Sequence, residues 1–72
     1  MRRIGEVVRV AQGLAIARGP GDGFPDVGTE VIDESLDPVG RVVDVFGPAE
    51  RPYVAVDADR PARLLGAPLY AR

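Results

Sequence analysis

The sequence predicts an all-β domain that closes into a small six-stranded β-barrel. Seven prolines and nine glycines are spread over the 72 residues, and they leave no uninterrupted stretch as long as a typical helix. Short runs rich in Val and Ile lie between turn signals, which is typical of strands. Strands without covering helices expose their sheet edges, and closure into a barrel removes those edges.

The predicted strands follow one another along the chain, and each ends at a turn signal. The first run ends at the tight turn Ala11-Gln12-Gly13, and the second places Leu14 and Ile16 on one face. A long loop over 19–26 is made of residues that favour turns, an acidic turn occupies 33–38, and 59–66 is an irregular connector. The predicted strands are 4–10, 14–18, 29–33, 39–46, 53–58 and 68–72.

The fourth predicted strand carries apolar residues on both faces. In the fifth strand, Val54 and Val56 alternate with more polar positions and are predicted to face the core. Strict alternation in the fourth strand instead gives two mixed faces, Val39/Arg41/Val43/Val45 and Gly40/Val42/Asp44/Phe46. One interpretation is a second buried surface against another molecule; the alternative is a wall with single exposed valines, which are normal.

The loop after the fourth strand is unusually stiff for a hairpin connection. Its sequence, Gly47-Pro48-Ala49-Glu50-Arg51-Pro52, lies between Phe46 and Tyr53. Each proline fixes its φ angle, so the loop has few conformations to lose on binding. Aromatic side chains beside such a loop are typical interface anchors. The alternative is that the prolines only block edge pairing and fix the turn.

The composition argues against catalysis and against a metal or cofactor site. The chain has no Cys, His or Lys, so the usual bases and nucleophiles reduce to carboxylates and hydroxyls. Ser35, the only serine, lies among acids without a base partner, and the acids of this turn lack the spacing of a calcium loop. We therefore expect no catalytic residue, no metal and no cofactor.

The charge and hydropathy of the chain argue against a nucleic acid or a membrane as a direct partner. The net charge of −2 gives no overall attraction to a nucleic-acid backbone. No apolar run approaches the length that would span a membrane, and the first residues enter a strand-like pattern without a signal peptide. We expect one domain over residues 1–72, in the cytoplasm and without a membrane partner.

Residues 39–56, VGRVVDVFGPAERPYVAV, resemble the core motif of the Gar family, the small β-barrel subunit of box H/ACA ribonucleoproteins. The family motif is approximately G-x-V-x-[DE]-[IV]-F-G-P-x-x-x-P-Y. The opening RRIGEVVRVAQGLAIAR and the closing GAPLYAR also resemble the family, and the bare form without Gly-Arg-rich extensions resembles its archaeal members. The matching motif positions are Gly40, Val42, Asp44, Val45, Phe46, Gly47, Pro48, Pro52 and Tyr53.

The resemblance implies a six-stranded barrel of the translation-protein and reductase–isomerase–elongation-factor type. It implies a non-catalytic subunit that binds the catalytic domain of the pseudouridine synthase directly and promotes substrate RNA loading and turnover in rRNA pseudouridylation. Guide RNA, rRNA substrate and the other H/ACA proteins would be reached indirectly, through the particle. The partner-binding residues expected from the motif are Val42, Val45, Phe46, Gly47, Pro48, Pro52 and Tyr53.

Two other functions stay open from the sequence. A stand-alone RNA-binding barrel would stack bases on its few aromatic side chains beside a positive groove. The second open function is that of a PRC-type barrel in ribosome maturation, because GRVVDV at 40–45 also resembles a strand of that family. The continuation F-G-P-x-x-x-P-Y does not belong to the PRC pattern.

Overall fold

The computed structural model describes residues 2–19 and 24–72, which form a closed antiparallel barrel. Around the barrel the strand order is β1-β2-β5-β4-β3-β6, and β6 pairs with both β1 and β3 to close it. The predicted fold class is confirmed. The strands are β1 Arg2–Ala11, β2 Leu14–Arg18, β3 Glu30–Ile32, β4 Pro38–Phe46, β5 Tyr53–Ala58 and β6 Pro68–Ala71.

Most strand boundaries lie close to the predicted ones. The second and fifth strands have the predicted bounds, whereas β3 is reduced to Glu30–Ile32. It begins after Thr29 because Thr29 closes a turn, with its hydroxyl donating to the Asp26 carbonyl at 2.6 Å. The connector predicted over 59–66 contains a single 3-10 turn, Pro61–Leu64. Positions 20–23 of the predicted 19–26 loop lie outside the described residues. Within the ranges described, no helix is long and apolar enough to cross a membrane.

The core is a single apolar cluster to which every strand contributes. Its members are exposed by 6% or less, and the described residues include no buried polar or charged side chain. Full burial of a Val or Leu side chain contributes about 1.5–3 kcal/mol, so this cluster supplies the main driving force for folding. The cluster consists of Ile4, Val7, Ala15, Ala17, Val31, Val42, Val54, Val56 and Leu69.

Two glycines allow neighbouring strands to approach closely. A Cβ atom on Gly40 would collide with the Asp57 carbonyl oxygen on the neighbouring strand β5. A Cβ atom on Gly5 would lie 2.5 Å from the backbone of Arg18 on β2, and the φ angle of Gly5, +153°, also disfavours a side chain. Substitution at either position would therefore push apart paired strands.

A β-bulge in β4 overturns the strict alternation predicted for this strand. Val42 pairs with Val56, but Asp44 pairs with Ala55, so Val43 is an extra residue. After the bulge, Val45 faces the same way as Val42, towards the core cluster, whereas Val43 is 41% exposed and Phe46 is 38% exposed. The predicted faces of this strand are wrong because a bulge shifts the two-residue period by one.

Candidate protein-binding surface

The outer face of the barrel carries a row of three side chains, Arg18, Tyr53 and Phe46, which we call the aromatic row. Arg18 on β2 pairs with Tyr53 on β5, and Tyr53 pairs with Phe46 on β4. The two rings stack with centroids 5.5 Å apart and planes 21° apart. The Arg18 Cζ lies 4.6 Å from the Tyr53 ring centroid, and Arg18 Nη1 donates to Tyr53 Oη at 3.0 Å. Stacking, cation–π attraction and a charged hydrogen bond thus hold the row together.

An apolar layer lies next to the aromatic row on the same outer face. Ile16 and Ala55 are paired neighbours on β2 and β5, and they alternate with the core residues of those strands. They are only 3% and 2% exposed, although they are not members of the core cluster. Arg9 pairs with Ile16, and its Cζ lies 5.9 Å from the Tyr53 ring centroid. Other side chains on the outer surface therefore cover Ile16 and Ala55. This covered apolar layer in turn supports the aromatic row.

The loop from Gly47 to Pro52 is fixed by contacts to the aromatic row and to Gly19, the residue that follows β2. Gly47 has a φ angle of +94°, and a Cβ atom there would lie 3.0 Å from Tyr53 Cδ2, so the position requires glycine. The Arg51 amide donates to the Pro48 carbonyl at 3.2 Å, and Arg51 Nε donates to the Gly19 carbonyl at 2.8 Å. The loop conformation and the placement of the Tyr53 ring therefore depend on each other.

Four of the seven residues expected to bind a partner are accessible. Phe46 is 38% exposed, Gly47 and Pro48 are exposed, and Tyr53 is half-buried within the row. All four lie at one corner of the barrel, where β4 ends and β5 begins. We call this corner, with the row that crosses it, the candidate binding surface.

The other three expected residues are buried to different degrees. Val42 is 1% exposed and belongs to the core cluster, so its side chain cannot contact a partner of the folded barrel. Val45 is half-buried and packs against the same cluster, and Pro52 is buried where the loop returns to β5. The bulge after Val42 explains the position of Val45, because it turns Val45 inward and leaves Val43 and Phe46 outside.

Several contributors to the surface were missed from the sequence. Arg9, Arg18, Ile16 and Ala55 join it only through the pairing of β1, β2 and β5. Val43 was placed on the same face as Val45, whereas it is exposed on the outer side. The sequence signal for β2 was present, since Ala15 and Ala17 alternate with larger residues, but alternation alone does not say which set faces the core.

The acidic turn after β3 has a structural role. The Asp33 carboxylate accepts hydrogen bonds from the backbone N–H groups of Ser35 at 2.8 Å and Asp37 at 3.1 Å. This is a side-chain-stabilised turn of the kind that Asp favours. Across the part of the chain that the structure describes, no group of three or more acidic side chains has the arrangement of a metal site.

Comparison with models of known protein families finds no match to this chain, and no curated protein matches its sequence. The likeness to the Gar family therefore rests on the motif at 40–53 and on the two ends of the chain.

Proposed function

We propose that this chain is a non-catalytic subunit of a box H/ACA ribonucleoprotein. It binds the catalytic domain of the pseudouridine synthase through the candidate binding surface, and it promotes loading and turnover of substrate RNA. The motif resemblance supports the choice of partner, and the geometry supports a role in protein binding. Guide RNA, rRNA and the other particle proteins are reached through the complex.

The observation that carries the proposal is the position of Phe46 and Tyr53. Aromatic residues in a motif are explained either by packing inside a core or by contact with a partner. Here both lie outside the core cluster, stacked on each other at the barrel surface. Tyr is among the residue types enriched in binding hot spots, and Phe is enriched in the buried centres of protein interfaces.

The loop geometry supports the same role. Its conformation is set before any partner arrives, by the Gly47–Tyr53 contact and by the hydrogen bond from Arg51 to Gly19. A surface that is already ordered loses less conformational entropy on association. Rigidity of this kind serves binding and contributes no reactive group.

Complex formation with the synthase tests the proposal. The purified chain and the synthase catalytic subunit are mixed at micromolar concentration in a salt series and separated by size-exclusion chromatography; we expect one co-eluting complex. Guided pseudouridylation is then followed over several turnovers with and without the chain, and we expect faster turnover with it. Separate elution at every salt concentration contradicts the proposal.

A stand-alone RNA-binding barrel is the second candidate, and the aromatic row is the observation that favours it. An exposed Phe46 ring beside Tyr53 and Arg18 also suits the stacking of a nucleobase. The net charge of −2 opposes it, because affinity for single-stranded RNA depends on neutralised phosphates. Titration of the chain alone with single-stranded RNA separates the two, since only this candidate predicts tight, strongly salt-dependent binding.

A further inference from the structure

A shallow groove of about 320 Å³ lies beside the aromatic row and is lined by three arginines. Arg3 comes from β1, Arg18 from the end of β2, and Arg51 from the loop between β4 and β5. Glu6 and Val8 also line it. We call it the arginine groove. Among the described residues that line it, three guanidinium groups stand against one carboxylate, so this part of the groove is cationic although the whole chain is acidic.

Arg18 has hydrogen-bonding capacity that the described residues do not use. Its Nη1 donates to Tyr53, but its Nε is buried and has no hydrogen-bond partner in residues 2–19 and 24–72. A buried charged donor without an acceptor is unfavourable, and most such groups in proteins are paired. An acceptor brought by a ligand would satisfy it after a rotation of the Arg18 side chain that turns Nε towards the groove.

The backbone brings the three arginines together. Gly5 and Gly19 have no side chains, and a Cβ atom on either would collide with the backbone near the other, so β1 and the end of β2 pass very close to each other. Arg51 is tied to the same place by its hydrogen bond to the Gly19 carbonyl. In the described part of the chain the only ion pair joins Arg72 to Glu30, so none of the groove arginines has a carboxylate partner there.

We infer that the arginine groove binds a carboxylate of the protein partner, an Asp or Glu side chain that flanks an apolar residue seated on the aromatic row. This inference rests on the proposed function. The charge of the groove is complementary to a carboxylate, and the planar guanidinium fork matches carboxylate geometry with two parallel hydrogen bonds. Arg18 belongs to both the groove and the row, so one partner segment contacts both.

An RNA phosphate is the competing occupant, and the observations favour it less. Glu6 in the wall of the groove repels a polyanion, and the chain as a whole carries a net charge of −2. Val8, which is 49% exposed, also lines the groove. Among the described residues the wall combines apolar surface with one acidic group, which suits a mixed acidic and apolar peptide segment better than a phosphate backbone.

Charge reversal at Arg3 is the first test. Arg3 is exposed, and its side chain makes no hydrogen bond to the described residues, so Arg3→Glu leaves the fold intact. We expect the Kd for the synthase catalytic subunit, measured by calorimetry, to rise by about tenfold or more, as for loss of one member of a close charge pair. The matched control, Arg63→Glu, makes the same charge change in a depression that shares no lining residue with the groove, and its Kd should stay within about twofold of wild type.

The geometry of Arg18 gives a second test that does not change the charge. Arg18→Lys keeps one positive charge but removes Nε and the planar fork, and we expect weaker synthase binding with an unchanged circular dichroism spectrum. The salt dependence of the Kd should fall in Arg3→Glu relative to wild type, because one screened charge contact is lost. Wild-type affinity and salt dependence in Arg3→Glu overturn the inference. The inference is also overturned if Arg3→Glu keeps its affinity for the synthase while the assembled particle binds guide RNA more weakly. That result would identify an RNA phosphate as the occupant of the groove.

A probe without the synthase separates this inference from the proposed function. In an NMR titration of the ¹⁵N-labelled chain with acetyl-aspartyl-leucine amide, we expect a saturable shift of the Arg18 Nε–H signal at millimolar concentration, lost in Arg3→Glu. An equal response to inorganic sulfate, or no shift with the peptide, overturns carboxylate binding. If the peptide shifts the signal while the synthase does not bind, the proposed function fails and the carboxylate site stands.

Discussion

Truncation of Phe46 should weaken partner binding by an amount that the structure sets. A Phe side chain presents about 200 Å² of surface, and 38% of Phe46 is exposed, so about 75 Å² is free for a partner to cover. At about 25 cal/mol per Å², covering that area contributes about 1.9 kcal/mol. Phe46→Ala should therefore raise the Kd for the synthase about 25-fold.

The fold should survive this change. Phe46 is the last residue of β4 and lies outside the core cluster, so its loss leaves the core packing as it is. The folded state loses the stack on Tyr53, and such aromatic pairs contribute about 0.5–1.5 kcal/mol beyond their area. It also loses the burial of the part of Phe46 that is covered in the free chain. A native circular dichroism spectrum and a cooperative urea transition check that the variant is folded.

Isothermal titration calorimetry at several temperatures is the assay. Besides the higher Kd, the heat capacity change of binding should become less negative, because less apolar surface is buried. Leu65→Ala is the matched control, since Leu65 is 54% exposed but lies in the connector before β6 and is not a member of the row. Equal affinity of folded Phe46→Ala and wild type, or equal losses in both variants, refutes the assignment of the partner to this corner.

Three further tests, with four substitutions, concern the fold and the row. Gly40→Ala forces a Cβ atom against the Asp57 carbonyl and should abolish the cooperative urea transition. In Gly13→Ala no atom lies within 4 Å of the new Cβ, but the φ angle of +77° strains it, so the free energy of unfolding should fall by about 1–2 kcal/mol. Equal urea midpoints for the two variants would contradict this. Tyr53→Phe removes the acceptor for Arg18 Nη1 but keeps the ring stack, so the free energy of unfolding measured in urea should fall by about 1 kcal/mol. The Kd for the synthase, measured by calorimetry, should rise less than for Phe46→Ala. Unchanged stability would show that the hydrogen bond between Arg18 and Tyr53 contributes nothing. Arg72→Ala breaks an exposed ion pair with Glu30 and should change stability by less than about 0.5 kcal/mol, and a larger shift of the urea midpoint would show that the pair closes the barrel.

The sequence predicted the strands well where the alternation was undisturbed. In β5, Val54 and Val56 face the core and alternate with Tyr53 and Asp57, so the bounds and the faces were both correct. In β4, the extra residue Val43 shifts the period, and no local pattern marks a bulge as distinct from a mixed strand. The apolar residues on both predicted faces were therefore partly a consequence of the bulge.

The candidate surface was predictable only where a single segment supplies it. Phe46 and Tyr53 flank one loop, so the motif was enough to find them. Arg18 is 35 positions from Tyr53 along the chain, and it reaches the ring only through the pairing of β2 with β5. Cross-strand neighbours of this kind depend on strand order and register, which alternation within each strand does not specify.

The two prolines of the loop are explained by what the loop supports. Gly47 turns with a positive φ angle at the place where the Tyr53 ring occupies the space of a side chain, and Pro52 is buried as the chain returns to β5. Arg51 reaches across to Gly19 beside the arginine groove. One ordered loop thus sets both the ring that stacks on Phe46 and a guanidinium of the groove. A flexible Gly-rich turn would close the same hairpin but would have to be ordered at each binding event, at a cost in entropy that the prolines have already removed from the unbound state.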